Sequence, residues 1–403
     1  MPGSFRRSGG WAARLALALA LAACAPEPPT VEPAPQLGLQ PATFDELDGW
    51  QEDDPRDALS AFLRSCRALE TRGQGPIGPD PAFGDLTDWR TVCATAAAAG
   101  DAKRSAAAAR DFFETWFLPY WVLDNGEPEG LFTGYYEPVL NGSRRRSEVF
   151  PVPLHVAPPD LLRVDLGRFN PDLAGYSIYG RVDGRQFVPY HSRADIESGA
   201  LAGQGLELLW VDDEIAKFFL QIQGSGQVRL DDGSVIRVGY ASQNGQPYRA
   251  IGRDLIEIGA LEREEVSLQS IRAWLRAHPR EAPALMARNR SYIFFQEQPQ
   301  LGADDGPLGA EGVSLTAGRS LAVDRRQLPL GAPLWLDTSA PFPDGARPLR
   351  RLMVAQDTGG AIKGVVRGDV FWGAGERAEA IAGHMKSQGR YAILLPKALA
   401  PTS

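Results

Sequence analysis

A mainly β fold with helices, of the α+β class and built around small barrels, is what this sequence predicts. Short β-rich runs are separated by turns of Gly, Asp and Pro. Helical periodicity is confined to one region before residue 119 and another from about 249 to 289. No internal repeat is visible, and several short strands with helices between them suggest barrels.

The elements follow in chain order. Arg6, Arg7 and Arg14 precede an apolar Leu/Ala run that ends in Leu21-Ala22-Ala23-Cys24. Residues 1–23 read as a signal peptide, because the run is too short to cross a membrane and stay. Small residues directly before a cysteine resemble a bacterial lipobox, which predicts cleavage before Cys24 and lipidation of its thiol. Residues 24–45 are rich in proline, from Pro26 to Pro41, and read as a tether that builds no core.

Asp54-Pro55 opens a helix that aligns Leu59, Phe62, Leu63 and Cys66, and Thr87 is expected to cap a second one with Trp89 and Cys93 on one face. A third helix is expected over roughly residues 102–118, with Phe112, Phe113, Trp116 and Phe117 as core, stopped by Pro119. Export places Cys66 and Cys93 in an oxidising compartment, so a disulfide between them is expected, two separately buried thiols being the alternative. Strands are expected at Leu131–Val139, Leu208–Val211, Phe218–Gln223 and Val235–Tyr240, with Asp232-Gly233 as a hairpin turn. After the second helical region, strands resume at Ala332–Leu336, Leu352–Ala355 and Tyr391–Leu395.

Composition narrows function by exclusion. The chain has 42 Lys and Arg against 50 Asp and Glu, an acidic balance that argues against a nucleic-acid partner. His155, His191, His278 and His384 lie far apart and form no pair at metal-ligand spacing, so no metal is expected.

Three stretches carry polar residues that a packed core would not require. In Thr133-Gly134-Tyr135-Tyr136-Glu137-Pro138, glycine permits close approach and the adjacent tyrosines point to opposite sides of a strand. In Gln221-Ile222-Gln223-Gly224-Ser225-Gly226, strand periodicity would put both glutamines on one face, where amides suit neutral sugars. Each stretch alone also fits a strand edge running into a glycine turn. The third runs from Gln356-Asp357-Thr358-Gly359-Gly360 through Lys363 and Arg367 to Asp369-Val370-Phe371-Trp372. Two carboxylates among apolar and cationic neighbours are a setting for pulling two pKa values apart, one acid and one support.

The runs AQDTGGAIKG…RGDVFWG, Asp324 in GRSLAVDRRQLPLG, FTGYYEP, QIQGSG, GYASQNGQPYRAIG and NRSYIFF, spanning residues 131–395 in order, resemble the membrane-bound lytic murein transglycosylase A family with its three-aspartate "3D" domain. The resemblance implies a double-psi β-barrel interrupted by a smaller inserted β-barrel domain, with a glycan in the groove between them. Residues 46–138 would supply helices and the first part of the barrel, 139–240 the inserted domain, 241–300 a helical connection, and 301–398 the 3D domain that completes the barrel. It further implies that Asp369 is the single acid/base with Asp357 as its polar partner. Thr133, Tyr135, Tyr136, Glu137, Gln221, Gln223, Gly224, Ser225, Gly226 and Lys363 would bind substrate.

The implied reaction cleaves the β-1,4 bond between N-acetylmuramic acid and N-acetylglucosamine. The muramoyl C6 hydroxyl closes a 1,6-anhydro ring, with neither water nor cofactor consumed. Peptidoglycan strands are the expected partner, with a membrane held through Cys24 and a cell-wall synthesis complex as further partners. Ala25 after Cys24 points to periplasmic attachment at the outer membrane. A non-catalytic peptidoglycan-binding lipoprotein and a hydrolytic muramidase are the alternatives.

Overall fold

The computed structural model describes residues 35–98, 105–302 and 305–400, with Met1 and Gly3. Apart from Met1 and Gly3, the signal peptide lies outside the described residues, as do Cys24 and the first half of the proline-rich tether, residues 24–34. The tether ends sooner than expected. Leu37 and Leu39 pack on the main core, so Leu37–Pro41 forms strand β1.

Three helices follow, α1 (Arg56–Thr71), α2 (Leu86–Ala98) and α3 (Ala106–Trp116). The Asp54 carboxylate receives the first free N–H of α1, from Arg56, and Leu59, Phe62, Leu63, Cys66 and Leu69 form its buried stripe. Cys66 and Cys93 are joined in a disulfide that ties α1 to α2, with Cα atoms 5.3 Å apart. Thr87 is not a cap; the helix starts at Leu86, and the Asp88 carboxylate folds back onto the N–H of Asp85. The third helix stops at Trp116, earlier than expected, and Phe117 opens β2 (Phe117–Asp124) with Pro119 inside the strand. A proline disfavours helix in the residue before it, and pairing with the C-terminal strand takes the chain from Phe117 onward.

Next come β3 (Gly130–Glu137), β4 (Val139–Ser143), β5 (Val152–His155), β6 (Leu162–Asp165), β7 (Ser177–Asp183), β8 (Gln186–Pro189), a short α4 (Arg193–Asp195) and β9 (Glu207–Val211). The expected strand at Phe218–Gln223 is instead helix α5 (Glu214–Gln223). Asp213 caps it by accepting from the N–H groups of Ile215 and Ala216, and Gly224 at φ 83° ends it. Ile215, Phe218 and Phe219 bury at helical spacing. Gln221 and Gln223 therefore project about 200° apart rather than sharing a face. β10 (Ser225–Leu230) and β11 (Val235–Gln243) form the hairpin, with Gly233 at φ 86° in its turn.

Helices α6 (Ile251–Glu257), α7 (Leu268–Ala277) and α8 (Ala282–Ala287) fill the second helical region. The chain closes with β12 (Ile293–Glu297), β13 (Ser320–Val323), β14 (Pro333–Phe342), β15 (Gly345–Asp357), β16 (Arg367–Ala374), α9 (Glu376–His384) and β17 (Lys386–Pro396).

One sheet runs β1-β2-β17-β14-β15-β13-β16-β3, and a further β3–β17 pairing closes six of its strands into a barrel. Two of the pairs in that ring, β13–β15 and β16–β3, are parallel. The barrel strands are buried on both faces, with Leu334, Trp335, Leu336, Val354, Ile393 and Leu394 fully buried, and their core is continuous with the apolar faces of α1, α2 and α3. A second sheet runs β12-β11-β10-β4-β9-β5, and its ends are not hydrogen-bonded to each other, so it is not a closed barrel by pairing. It does not end near residue 240, because β12 returns to pair with β11 inside the segment expected to be a helical connection. β6-β7-β8 form a separate three-stranded sheet.

Candidate active site

Strand register assembles the site. Asp369 on β16 is the Cα partner of Thr133 on β3, and Ala322 on β13 lies between Asp369 on one side and Asp357 on the other. The two aspartates therefore sit on strands two spacings apart, roughly 10 Å at the backbone. Both are half-buried, and Tyr135, Leu315, Ala322, Ile362 and Phe371 form an apolar cluster beneath them.

The carboxylates are held differently. Asp357 accepts from the N–H groups of Ala310 and Thr358 on Oδ1, both at 2.9 Å, and from the Tyr135 hydroxyl on Oδ2 at 2.8 Å. Asp369 has one such donor, the Thr133 hydroxyl, at 2.7 Å from Oδ1. Thr133 Oγ1 in turn accepts from Arg367 Nη2 at 2.8 Å. Because the guanidinium can only donate, the hydroxyl proton of Thr133 points at Asp369.

Desolvation pushes the Asp369 carboxyl up to about 6, against the opposing pull of Arg367 and the Thr133 hydrogen bond, and the Asp357 charge adds to the rise. Asp357 is raised as well, by burial, so the expected separation of one carboxyl up and one down by a cation does not occur. Three donors nevertheless support the ionised form of Asp357 and one supports that of Asp369, so Asp369 is the one that more readily holds a proton. Tyr135 is held well above its usual range by burial and the Asp357 charge, so its hydroxyl stays a donor.

Of the expected binding residues, Thr133 and Tyr135 come together with the aspartates. Tyr136, on the other side of β3, is buried against α9 and accepts from Arg272 Nη2 at 3.1 Å. Glu137 is buried, accepts from Gln227 and pairs with Arg237. Gln221 is buried in the inserted region, where its carbonyl oxygen accepts from Arg193 and its amide donates to the Ile293 carbonyl. Gln223 accepts from the backbone N–H of Tyr136, Gly224 ends α5, and Ser225 and Gly226 begin β10. Lys363 is exposed, with Arg326, Asp324 and Arg325 as its charged neighbours. Asp324 is buried and held by Arg326 and the Gly364 N–H.

Two residues at the site were not singled out from sequence. Arg367 was noted only as a cation between the aspartates, and its pairing with Thr133 depends on the β16–β3 register. Burial raises the Tyr248 hydroxyl, and the Asp369 charge, within electrostatic reach, adds to the rise. Tyr248 lies in the GYASQNGQPYRAIG run that carries the family resemblance.

Residues 131–296 match the MltA specific insert domain, and residues 319–395 match the 3D domain. A membrane-bound lytic murein transglycosylase A from Vibrio cholerae is 35% identical over 277 residues, 66% of each chain. The crystal structure of a membrane-bound lytic murein transglycosylase from Agrobacterium tumefaciens is 33% identical, with a TM-score of 0.78, covering 90% of this chain and 99% of its own. MltA from Neisseria gonorrhoeae, in a monoclinic form, is 36% identical with a TM-score of 0.73, covering 91% and 96%. The chain belongs to the membrane-bound lytic murein transglycosylase A family. Family membership and register meet at β3 and β16, whose FTGYYEP and RGDVFWG runs are neighbours in the barrel.

Proposed function

We propose that this protein is a lytic transglycosylase that cleaves the β-1,4 bond between N-acetylmuramic acid and N-acetylglucosamine in peptidoglycan, with Asp369 as its single acid and base. The observation that carries the assignment is the Arg367–Thr133–Asp369 chain. With Oδ1 occupied by the Thr133 hydroxyl, the acid proton of Asp369 resides on Oδ2, free to be given away.

The proton goes to the glycosidic oxygen as the C1–O bond breaks and the muramoyl ring gains oxocarbenium character. The resulting Asp369 carboxylate then takes the proton of the C6 hydroxyl while its oxygen bonds to C1. Proton count and charge balance without water, and the intramolecular nucleophile gains from proximity. Asp357, fixed by three donors, supports the developing positive charge and keeps Asp369 protonated until substrate arrives.

The finer architecture belongs to the same proposal: the closed barrel is of the double-psi type, and the second sheet acts as a smaller barrel across the groove. Lipidation of Cys24 would hold the enzyme in the periplasm at the outer membrane, beside its polymeric substrate. Digestion of purified peptidoglycan and mass spectrometry of the fragment ends tests the reading. Fragments one water lighter, with 1,6-anhydromuramic ends, are expected; reducing ends would make the enzyme a hydrolase, and intact bound glycan would make it a binding module.

A further inference from the structure

The Ala310 N–H that holds Asp357 Oδ1 belongs to a small hairpin turn before β13. Leu308 and Ser314 pair as an antiparallel bridge, Gly309 donates to the Val313 carbonyl at 2.9 Å, and Gly312, at φ 83°, donates to the Gly309 carbonyl at 2.9 Å. The turn lies on the end of β15, where the Ala310 N–H reaches Asp357 and the Glu311 N–H reaches the Gln356 carbonyl at 3.1 Å. A Cβ at Gly309 would come within 2.5 Å of that same carbonyl oxygen, so glycine is required for the approach.

These backbone contacts tie the turn only to the strand it serves. The Glu311 side chain ties it to the helical scaffold. On α1, the Ser65 hydroxyl donates to Glu311 Oε2 at 2.6 Å. Ser65 Oγ also accepts from Gln356 Nε2 at 2.9 Å, and the same amide nitrogen donates to the Ala61 carbonyl at 2.9 Å. Because the amide nitrogen only donates, the single Ser65 proton is aimed at Glu311. Gln356 Oε1 accepts from Ser320 Oγ at 2.5 Å, which joins β13 to the network. Ser65, Gln356 and Ser320 are fully buried, and Glu311 is 8% exposed. One helix, two strands and the turn are thus linked by a chain of hydrogen bonds that ends at the residue before Asp357.

Glu311 Oε1 has no hydrogen-bond partner and is shut in against Gly331, where a Cβ would lie 2.8 Å from it. A buried carboxyl with one donor is costly, and an apolar side chain would fill the space at less cost. An apolar side chain would not hold the turn to Ser65. Burial pushes the Glu311 carboxyl up to about 7 against the Ser65 hydrogen bond and the Arg72 charge, the other charged residues on this side being Arg64, Arg67 and Asp305. At the acid pH where Asp369 keeps its proton, Glu311 is therefore neutral and stays seated without burying a charge. We propose that Glu311 is a positioning residue for Asp357: through Ser65 and Gln356 it seats the turn whose Ala310 N–H fixes the Asp357 carboxylate. The inference rests on the reading of Asp357 as the ionised support of Asp369.

The test joins steady-state cleavage of glycan strands by the full chain in detergent to the titration of the Asp357 carboxyl, read by carbon NMR in aspartate-labelled protein and assigned with Asp357→Asn. Glu311→Ala is expected to lower kcat about ten- to a hundredfold with KM within about twofold. The Asp357 titration and the acid limb of the kcat profile should both move to higher pH, because the carboxylate loses the Ala310 donor. Glu311→Gln keeps the acceptor for Ser65 and should restore most of kcat and of both pH positions. Ser65→Ala removes the donor instead and should reproduce the Glu311→Ala shifts, which keeps the test open where Glu311→Ala does not fold. An Asp357 titration unmoved in these variants overturns the proposal, as does a raised KM with kcat intact, or Glu311→Gln as impaired as Glu311→Ala. A moved Asp357 titration with kcat unchanged supports the positioning and counts against the active-site reading alone.

Discussion

A carboxylic acid donates a proton only while it holds one, so the environment of Asp369 sets the working range of the site. With its carboxyl pushed up to about 6, the acid form is depleted as pH rises through that value, and kcat/KM is expected to fall about tenfold per pH unit above it. Asp369→Asn should lower the cleavage rate by roughly 10²–10⁴-fold, read from release of soluble fragments with glycan binding retained. The folded pKa lies above the unfolded one, so the native state binds the extra proton. Stability from this group is thus present below about pH 4 and lost as pH rises through about 6. The same Asn substitution should therefore raise the Tm at pH 7, and a lower Tm would show that burial does not govern Asp369. Arg367 and Thr133 both pull the Asp369 pKa down, so Arg367→Met and Thr133→Val should move the falling limb to higher pH while reducing kcat. Arg367→Lys should restore part of the limb's position, through charge, but not the aimed hydroxyl. An unmoved limb in both variants would dissolve the relay.

At the scale of elements, the disulfide and one glycine make separate demands. Joining α1 to α2 closes a loop with a sequence separation of 27, and Cys66→Ala/Cys93→Ala should cost about 3 kcal/mol of stability, measured by denaturant titration against the oxidised protein. A Cβ at Gly134 would lie 2.7 Å from Trp372 Nε1 and 2.9 Å from the Ala382 Cα of helix α9. Gly134→Ala should therefore destabilise the protein by about 1–3 kcal/mol and lower activity, because the same strand carries Thr133 and Tyr135. The motif pointed to close approach at this glycine; which helix approaches is a matter of packing. α5 shows the opposite case. The six residues Phe218–Gln223 were too few to display a helical period, and the capping Asp213 and terminal Gly224 outweighed the β-like composition.

For the whole molecule, barrel closure does the assembling. Thr133 and Asp369 are 236 residues apart in sequence and adjacent in the sheet, and Tyr248 lies within electrostatic reach of Asp369. The anchor belongs to this scale too. Cys24→Ala is expected to shift the protein from the membrane to the soluble fraction, leaving digestion of isolated peptidoglycan unchanged within about twofold, since tethering acts through local concentration. A large loss of activity on isolated substrate would mean that the residues before 36 do more than anchor.

Local chemistry was legible in the sequence wherever a short segment decides it. The hairpin at Asp232-Gly233, the opening of α1, and the carboxylates among glycine and aromatics all depend on neighbours a few residues away, while the Cys66–Cys93 disulfide was expected from the export signal. Motif order also pointed to the family. Tertiary structure alone decided what long-range register controls: that Thr133 faces Asp369 while Tyr136 and Gln221 are buried in packing, that Arg367 aims the threonine hydroxyl, and that the second sheet stays open at its ends. The physical reason is the two-residue period of a strand. A shift of one position in the β16–β3 pairing would put Thr133 and Tyr136 on the wrong faces relative to Asp369 and Arg367, and that pairing is fixed only when the barrel closes; Gln221 is placed instead by the packing of helix α5.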